Sequence, residues 1–375
     1  MKILASGDHH FDRRSRFDEC INVHQWMVDL ARDEKVDAFL SGGDVYERDS
    51  NPDEREAVAE WLTRTADVCP VLVAKGNHES RRDAYLLRRL RSTHPIIVEE
   101  QAGVHHLGNA AVAAVAWPEK KYLLAQTGDS QQADADVRLA LQSVIRGLGA
   151  QLLEHDGPRL ALMHCLVDGS VVSTNQPLLG MPLNIGLTDL ALFNAHAGFL
   201  SHIHKHQTWD VNGAPFAYAG SPLRTDFSQL EKKVVLLAEF DGQRLLDVRE
   251  IETPARPMVH VEGEWKDGAI SCGHIKRYSD AEIRLRYSVP LDQRDVARAQ
   301  AQRIADELKE AGAYSVKVEE RVIAEMRARI PEVARATTTS EKLTAYWQSK
   351  NWNPGEREEP LMSKLGEIER DEDAA

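Results

Sequence analysis

Short apolar runs that stop at glycine or histidine set the rhythm of this chain. Lys2–Ser6 ends at Gly7, Ala38–Leu40 runs into Gly42-Gly43, and Pro70–Ala74 ends near Gly76. Each has strand length. Between them, Arg16–Glu34 places Phe17, Ile21, Val23, Met27, Leu30 and Ala31 at helical spacing, and Asp53–Ala66 opens with acidic residues, as a helix N-terminus favours. The order strand–helix–strand–helix–strand predicts parallel pairing with right-handed crossovers, hence an α/β fold. Val104–Leu107 and Ala111–Ala116 read as a hairpin turning at Gly108-Asn109, and Asp134–Leu148 as a helix. Arg159–Met163 is a strand that meets His164, and Gly198–Ser201 one that meets His202. Thr208–Val211, Phe216–Ala219, Val234–Phe240 and Leu245–Ile251 then alternate as antiparallel strands, with Asn212-Gly213 and Asp241-Gly242 as tight turns.

The pattern changes after Thr253–Pro257, whose two prolines suggest a linker. Glu282–Val289, Gln293–Ala311 and Tyr314–Glu319 read as a small β-α-β unit. Glu341–Trp352 and Glu359–Ile368 read as amphipathic helices before an acidic end. The expected organisation is a main domain over 1–252, a cap over 258–330 and a helical tail over 331–375.

With 375 residues, two or three domains are expected. Cys20, Cys69, Cys165 and Cys272 have no CxxC spacing, which excludes a zinc knuckle and suits a reducing, cytoplasmic setting. The longest apolar run, Ala110–Trp117, is too short to span a bilayer. Cleavage of a signal peptide would remove Asp8 and His10, so none is expected. A net charge of −13 disfavours nonspecific DNA coating, yet Glu356–Asp373 alone carries eight acidic and three basic residues. Two bound divalent cations would reverse the local sign where a phosphate must sit.

The polar residues at the ends of these strands carry the chemistry. Asp8, His10, Asp44, Asn77, His164, His202 and His204 fall in five clusters, each at or just past a strand. Strand tips of an open α/β sheet are where such folds place ligands. Residues i and i+2 of an extended segment share a side, so Asp8/His10 and His202/His204 can each present two donors to one point. Asp44 stands alone after two glycines, and its two oxygens suit it to bridge two cations. Oxygen and imidazole donors without thiolate suit Mn²⁺, Fe or Zn²⁺. Two cations about 3.5–4 Å apart can clamp a phosphoryl group. His78, beside Asn77, is placed to contact the phosphate or protonate the leaving oxygen as a catalytic acid. Taken singly, an Asp-x-His, a Gly-Asp or a His-x-His is an ordinary loop or turn; the order of all five at strand ends argues against that reading. His9, His105, His106 and His206 read as neighbours or surface groups.

As they stand, the clusters are GDHH (7–10), GGDVYE (42–47), GNHE (76–79), MHC (163–165) and SHIH (201–204). Over about residues 1–250 they resemble the calcineurin-like metallophosphoesterases. Within that family the chain looks most like the SbcD type of nuclease. That closer likeness rests on AYAGSPLRTDFSQLEKKVVLLAEF (217–240), the β-α-β unit and the helical tail. The resemblance implies a four-layer core of two mixed β-sheets flanked by helices. It implies one metal held by Asp8, His10, Asp44 and His204, a second held by Asp44, Asn77, His164 and His202, and His78 as the catalytic histidine. It further implies Mn²⁺ as the working metal, with Fe, Zn or Mg as alternatives. DNA phosphodiester hydrolysis in repair or recombination, a homodimer, and an SbcC-like coiled-coil ATPase partner also follow from it. The chain departs from the pattern at Asp12 and Ser201, where relatives usually carry glycine, and at Glu47, where some nucleases of this group carry histidine.

Substrate contacts are expected from Arg81, Arg82 and Arg88 after GNHE, and from Arg224. The competing reading is a solvated helix face for the first three and a carboxylate-paired turn residue for Arg224. Leu343, Tyr346 and Trp347, then Leu361, Leu365 and Ile368, make narrow apolar stripes suited to a partner's coiled coil or to the cap itself. A small-molecule phosphodiesterase on the same core is the main alternative function, and a noncatalytic scaffold would require lost ligands.

Overall fold

The computed structural model describes residues 1–118, 133–173, 184–272, 278–323, 333 and 335–372. They form two compact units, one of residues 1–260, 277–284 and 308–317, the other of 261–276, 285–307 and 318–375.

The first unit opens with β1 (Lys2–Ser6), α1 (Phe17–Asp33), β2 (Ala38–Ser41), α2 (Pro52–Ala66), β3 (Val71–Ala74), α3 (Arg81–Leu87) and β4 (Ile96–Glu99). It continues with β5 (Ala102–Leu107), β6 (Ala110–Val115), α4 (Ala133–Leu153), β7 (Arg159–His164), β8 (Leu166–Val167), β9 (Asn184–Ile185) and α5 (Leu187–Leu190). β10 (Ala197–Ser201), β11 (Gln207–Val211), β12 (Ala214–Tyr218), β13 (Val234–Asp241) and β14 (Arg244–Glu252) complete it.

Two six-stranded mixed sheets result, ordered β14-β13-β1-β2-β3-β4 and β11-β12-β10-β7-β6-β5. β1, β2, β3 and β4 run parallel, as the alternation with helices predicts, and β13 joins β1 antiparallel. In the second sheet β6, β7, β10 and β12 are parallel, with β5 and β11 antiparallel at the two edges.

Strands buried on both faces explain why the runs are continuously apolar rather than alternating. Ile3, Leu40 and Leu72 of one sheet meet Val112, Leu162 and Phe199 of the other in a dry layer. On the outer face of the first sheet, Leu4, Phe39 and Val73 pack with Met27 of α1 and Trp61 and Leu62 of α2. On the outer face of the second, Ala113, Ala161 and Leu200 pack with Val137, Ile145 and Leu152 of α4. These are the four layers expected: helices, sheet, sheet, helices. α2 starts sharply because the Asn51 side chain accepts from Glu54 N at 3.1 Å, the Glu54 carboxylate accepts from Asn51 N at 3.0 Å, and Pro52 occupies the first turn.

β15 (Met258–Lys266), β16 (Ala269–Ser271), β17 (Glu282–Pro290) and β18 (Ser315–Ile323) form a four-stranded sheet ordered β16-β15-β17-β18, with α6 (Arg294–Glu310) between β17 and β18 in the chain. In the second unit α6 buries Ala297, Ala301 and Ala305, one per turn. The Glu320 carboxylate accepts from Arg294, Arg298 and the Tyr287 hydroxyl. α7 (Thr339–Ser349) and α8 (Glu358–Glu372) follow; Trp347 is buried, while Tyr346 and Leu361 are exposed. The side chain of Ile368 lies outside the described residues. No described helix is long and apolar enough to cross a membrane.

Candidate metal centre

Five parallel strands deliver their C-terminal ends to one place. β1 leads to Asp8 and His10, β2 to Asp44, β3 to Asn77, β7 ends on His164, and β10 leads to His202 and His204. The backbone is forced there. Asp8, His10, Asp44 and His202 all have positive φ, at 53°, 47°, 48° and 105°. Such conformations are costly outside glycine and persist where packing over-determines them. Gly43 supplies a necessary freedom: its φ is 93°, and a Cβ there would lie 2.3 Å from the Ala74 carbonyl oxygen. Ser201 has a structural reason for standing where relatives carry glycine. It nests against Gly7 and Gly42, where any Cβ would collide with its hydroxyl.

The seven predicted ligands come together and are nearly all buried. The Asp8 carboxylate accepts from His202 N at 2.9 Å. His10 Nε2 and His204 Nε2 stand 2.9 Å apart. His164 Nε2 lies 3.3 Å from Asp44 Oδ2 and 3.1 Å from Asn77 Oδ1, and His202 Nδ1 lies 3.0 Å from the same Asn77 oxygen. Asp8, His10 and His204 can converge on one ion, and Asp44, His164 and His202 on another.

Hydrogen bonding fixes several ring protons, because a carbonyl or carboxylate can only accept. His164 Nδ1 must donate to the Gly42 carbonyl at 2.6 Å, so its neutral ring turns a lone pair toward Asn77 Oδ1 and Asp44 Oδ2. His10 Nδ1 lies 2.8 Å from Glu47 Oε2, a close charge contact without hydrogen-bond alignment, and its Nε2 faces His204. These nitrogens and oxygens crowd to hydrogen-bond distance of one another, where a shared proton or a metal ion can sit between them. The donor set therefore fits divalent metal ions.

The charge balance points the same way. Burial lowers the His164 pKa, but Asp44 and Asp8 overcome it and hold the imidazole at about 9. Burial raises Asp8 to about 6. Asp44 is buried too, yet His164, His78 and His10 keep it well below the usual carboxylate range. Burial and neighbouring imidazoles push His202 down to about 3 and His204 well below its ordinary value. A proton on His164 thus occupies the place of positive charge that a metal would fill.

His78 sits at the edge of this cluster. Its backbone N donates to Asp44 Oδ1 at 3.0 Å, its Nδ1 donates to the Glu47 carbonyl at 2.6 Å, and its Nε2 is 3.9 Å from Asp44 Oδ2. His10, Asp44, His78, His202 and His204 line a cleft of about 280 Å³, walled also by Asp12, Glu47, Arg224, Asp226 and Gln229. The predicted arginines part company here. Arg224 lines the cleft, but its guanidinium donates to the carbonyls of Gln229, Glu231, Ala255 and Arg256. Arg81 and Arg88 border a separate open depression with Lys75 and Glu99, and Arg88 pairs with Glu100 at 2.8 Å. Arg82 is exposed on α3.

Several supporting groups were not singled out by their sequence neighbourhood. Glu79 of GNHE is buried and accepts from Val45 N and Gly76 N, tying two ligand loops together. Gln229, buried, brings its amide to 3.5 Å from His204 Nδ1. Trp117 packs its ring 4.7 Å from His202. His9 is fully buried: its Nδ1 contacts His24 Nε2 at 2.9 Å and its Nε2 contacts Ser41 at 2.9 Å. No sequence signal predicts these pairings, although Glu79 falls within the GNHE cluster.

This ligand constellation on a two-sheet sandwich defines a dimetal phosphoesterase, and the family model for calcineurin-like phosphoesterases matches residues 1–205; the chain belongs to that family. Among curated proteins it is similar to SbcD of the nuclease SbcCD from Bacillus subtilis (strain 168), 24% identical over 300 residues that cover 71% of this chain and 72% of that one. Among solved structures it is similar to a dimetal phosphatase from Danio rerio, at 15% identity and a TM-score of 0.42, covering 68% of this chain and 97% of that one. It is also similar in structure to GAP50, the anchor in the inner membrane complex of Plasmodium, at 11% identity and a TM-score of 0.41, covering 68% of this chain and 89% of that one.

Proposed function

We propose that the protein is a Mn²⁺-dependent DNA nuclease of the SbcD type, acting with an SbcC-like coiled-coil ATPase in DNA repair or recombination. The observation that carries the chemistry is the convergence of seven side chains with nitrogen and oxygen donor atoms at five strand ends. Asp8, His10, Asp44 and His204 would hold one ion, and Asp44, Asn77, His164 and His202 the other. Two divalent cations held there would supply neutralisation of phosphoryl charge and activation of a water. The protein's own part is to orient and to move protons. His78 Nδ1 is tied to the Glu47 carbonyl, so Nε2 is the nitrogen left to protonate the leaving oxygen.

The DNA reading is supported by the nuclease relative, whose likeness spans 71% of the chain and so reaches beyond the matched phosphoesterase region. Mn²⁺, the ATPase, homodimerisation and the docking role of the tail helices belong to this reading. A small phosphodiester is the competing substrate. It is favoured by the Asp12, Glu47 and Asp226 carboxylates on the cleft wall, which oppose a polyanion.

Linear duplex DNA and a bis-aryl phosphate, each with Mn²⁺, separate the two. The nuclease reading expects DNA cleavage, strengthened by the ATPase, that is lost in Asp44→Ala. Hydrolysis of the aryl diester alone, with the ATPase present, would overturn it.

A further inference from the structure

Glu47 touches both the centre and its catalytic histidine, through different atoms. Its carboxylate Oε2 is 2.8 Å from His10 Nδ1, and its backbone carbonyl is 2.6 Å from His78 Nδ1. The carbonyl accepts only, so His78 must carry its proton on Nδ1, and the Glu47 carboxylate beside His10 Nδ1 favours a proton on that nitrogen too. His10 and His78 then present Nε2, one toward His204 Nε2 at 2.9 Å, the other toward the Asp44 carboxylate at 3.9 Å. Their rings stand edge to face, with centroids 5.0 Å apart, on the wall of the same cleft.

We propose that Glu47 is a positioning residue that sets the tautomer of both histidines: its side chain makes His10 a metal ligand, and its main chain makes His78 an acid. The inference rests on the metal-centre reading above. A carboxylate accepting from a ligand histidine raises the donor strength of the opposite nitrogen and fixes the ring plane, and loss of such a partner typically costs 10–100-fold in metal affinity. The division of labour between side chain and main chain separates two effects. A side-chain substitution removes the His10 contact and leaves the His78 contact in place.

The test is Mn²⁺ titration calorimetry on the full chain with wild type, Glu47→Ala and Glu47→Gln, alongside turnover of a bis-aryl phosphate against Mn²⁺ concentration. Wild type is expected to bind two ions. Glu47→Ala should weaken one site by roughly 10–100-fold and leave the other unchanged. Glu47→Gln keeps an oxygen acceptor and should bind nearly as wild type. Saturating Mn²⁺ should restore most turnover to Glu47→Ala, because His78 keeps its carbonyl partner; a merely structural lesion would not be rescued this way. Unchanged binding in Glu47→Ala, a Glu47→Gln as weak as Glu47→Ala, or turnover that stays low at saturating metal would each overturn the role of Glu47. Absence of Mn²⁺ binding by wild type would instead overturn the metal-centre reading itself.

Discussion

Asp44 and His78 carry separable duties, and substitution should separate them. Asp44 stands with His164 and His202 and beside His78, so Asp44→Ala removes the carboxylate proposed to bridge both ions. His78 contacts Asp44 but contributes no proposed ligand atom. His78→Ala should therefore keep its metals and lose about 10²–10⁴-fold in turnover, the usual worth of a positioned general acid. Metal content by elemental analysis beside diester turnover reads both. The proton on His164 supplies a second prediction. Its pKa in the metal-free fold is about 9 against an ordinary 6.5, so its ion pair stabilises fully below 6.5 and is lost as pH rises through 9. A metal must displace that proton, and the raised Asp8, at about 6, adds a competitor of the same sign. The rise in melting temperature caused by a fixed, subsaturating Mn²⁺ concentration should grow between pH 6.5 and 9; a constant or shrinking rise would contradict this balance. The seven proposed ligands stand out in sequence because each is a rare donor at a strand end, and the fold brings them together. Glu79 and Gln229 do not, and Glu47 stands out only as a departure from the resemblance, because their work is defined by partners distant in the chain.

Elements matter here chiefly as rigid carriers of strand tips. Leu40, fully buried in β2 between the sheets, lies four residues before Asp44. Leu40→Ala should cost about 2–5 kcal/mol of stability, measured by denaturant unfolding of the metal-free protein. The cap of α2 is worth less: Asn51→Ala should cost about 1 kcal/mol by the same measurement. Helices α1, α2 and α6 and the first three parallel strands follow their hydrophobic periods within a residue or two. The strands that escaped sequence reasoning have physical reasons. β4 is four residues, Ile96–Glu99, without alternation and directly after Pro95. β15 alternates, but Gly263 and the prolines before it mimic a linker. The alternating segments after His204 read as antiparallel strands with tight turns at Asn212-Gly213 and Asp241-Gly242. They form two hairpins, β11–β12 and β13–β14, that belong to different sheets. Hairpin pairing is local and readable; the choice of sheet is set by packing across the molecule.

At the scale of the whole molecule, a net charge of −13 coexists with a proposed DNA substrate. Two bound divalent cations would make the cleft locally positive despite Asp12, Glu47 and Asp226 on its wall. The binuclear centre is thus the point on which both the chemistry and the polarity of the site depend. Anomalous diffraction from crystals grown with Mn²⁺ tests it most directly. Two peaks per chain are expected, one against Asp8, His10 and His204, the other against Asn77, His164 and His202, with Asp44 reaching both. A single peak, or peaks away from these side chains, would contradict the account.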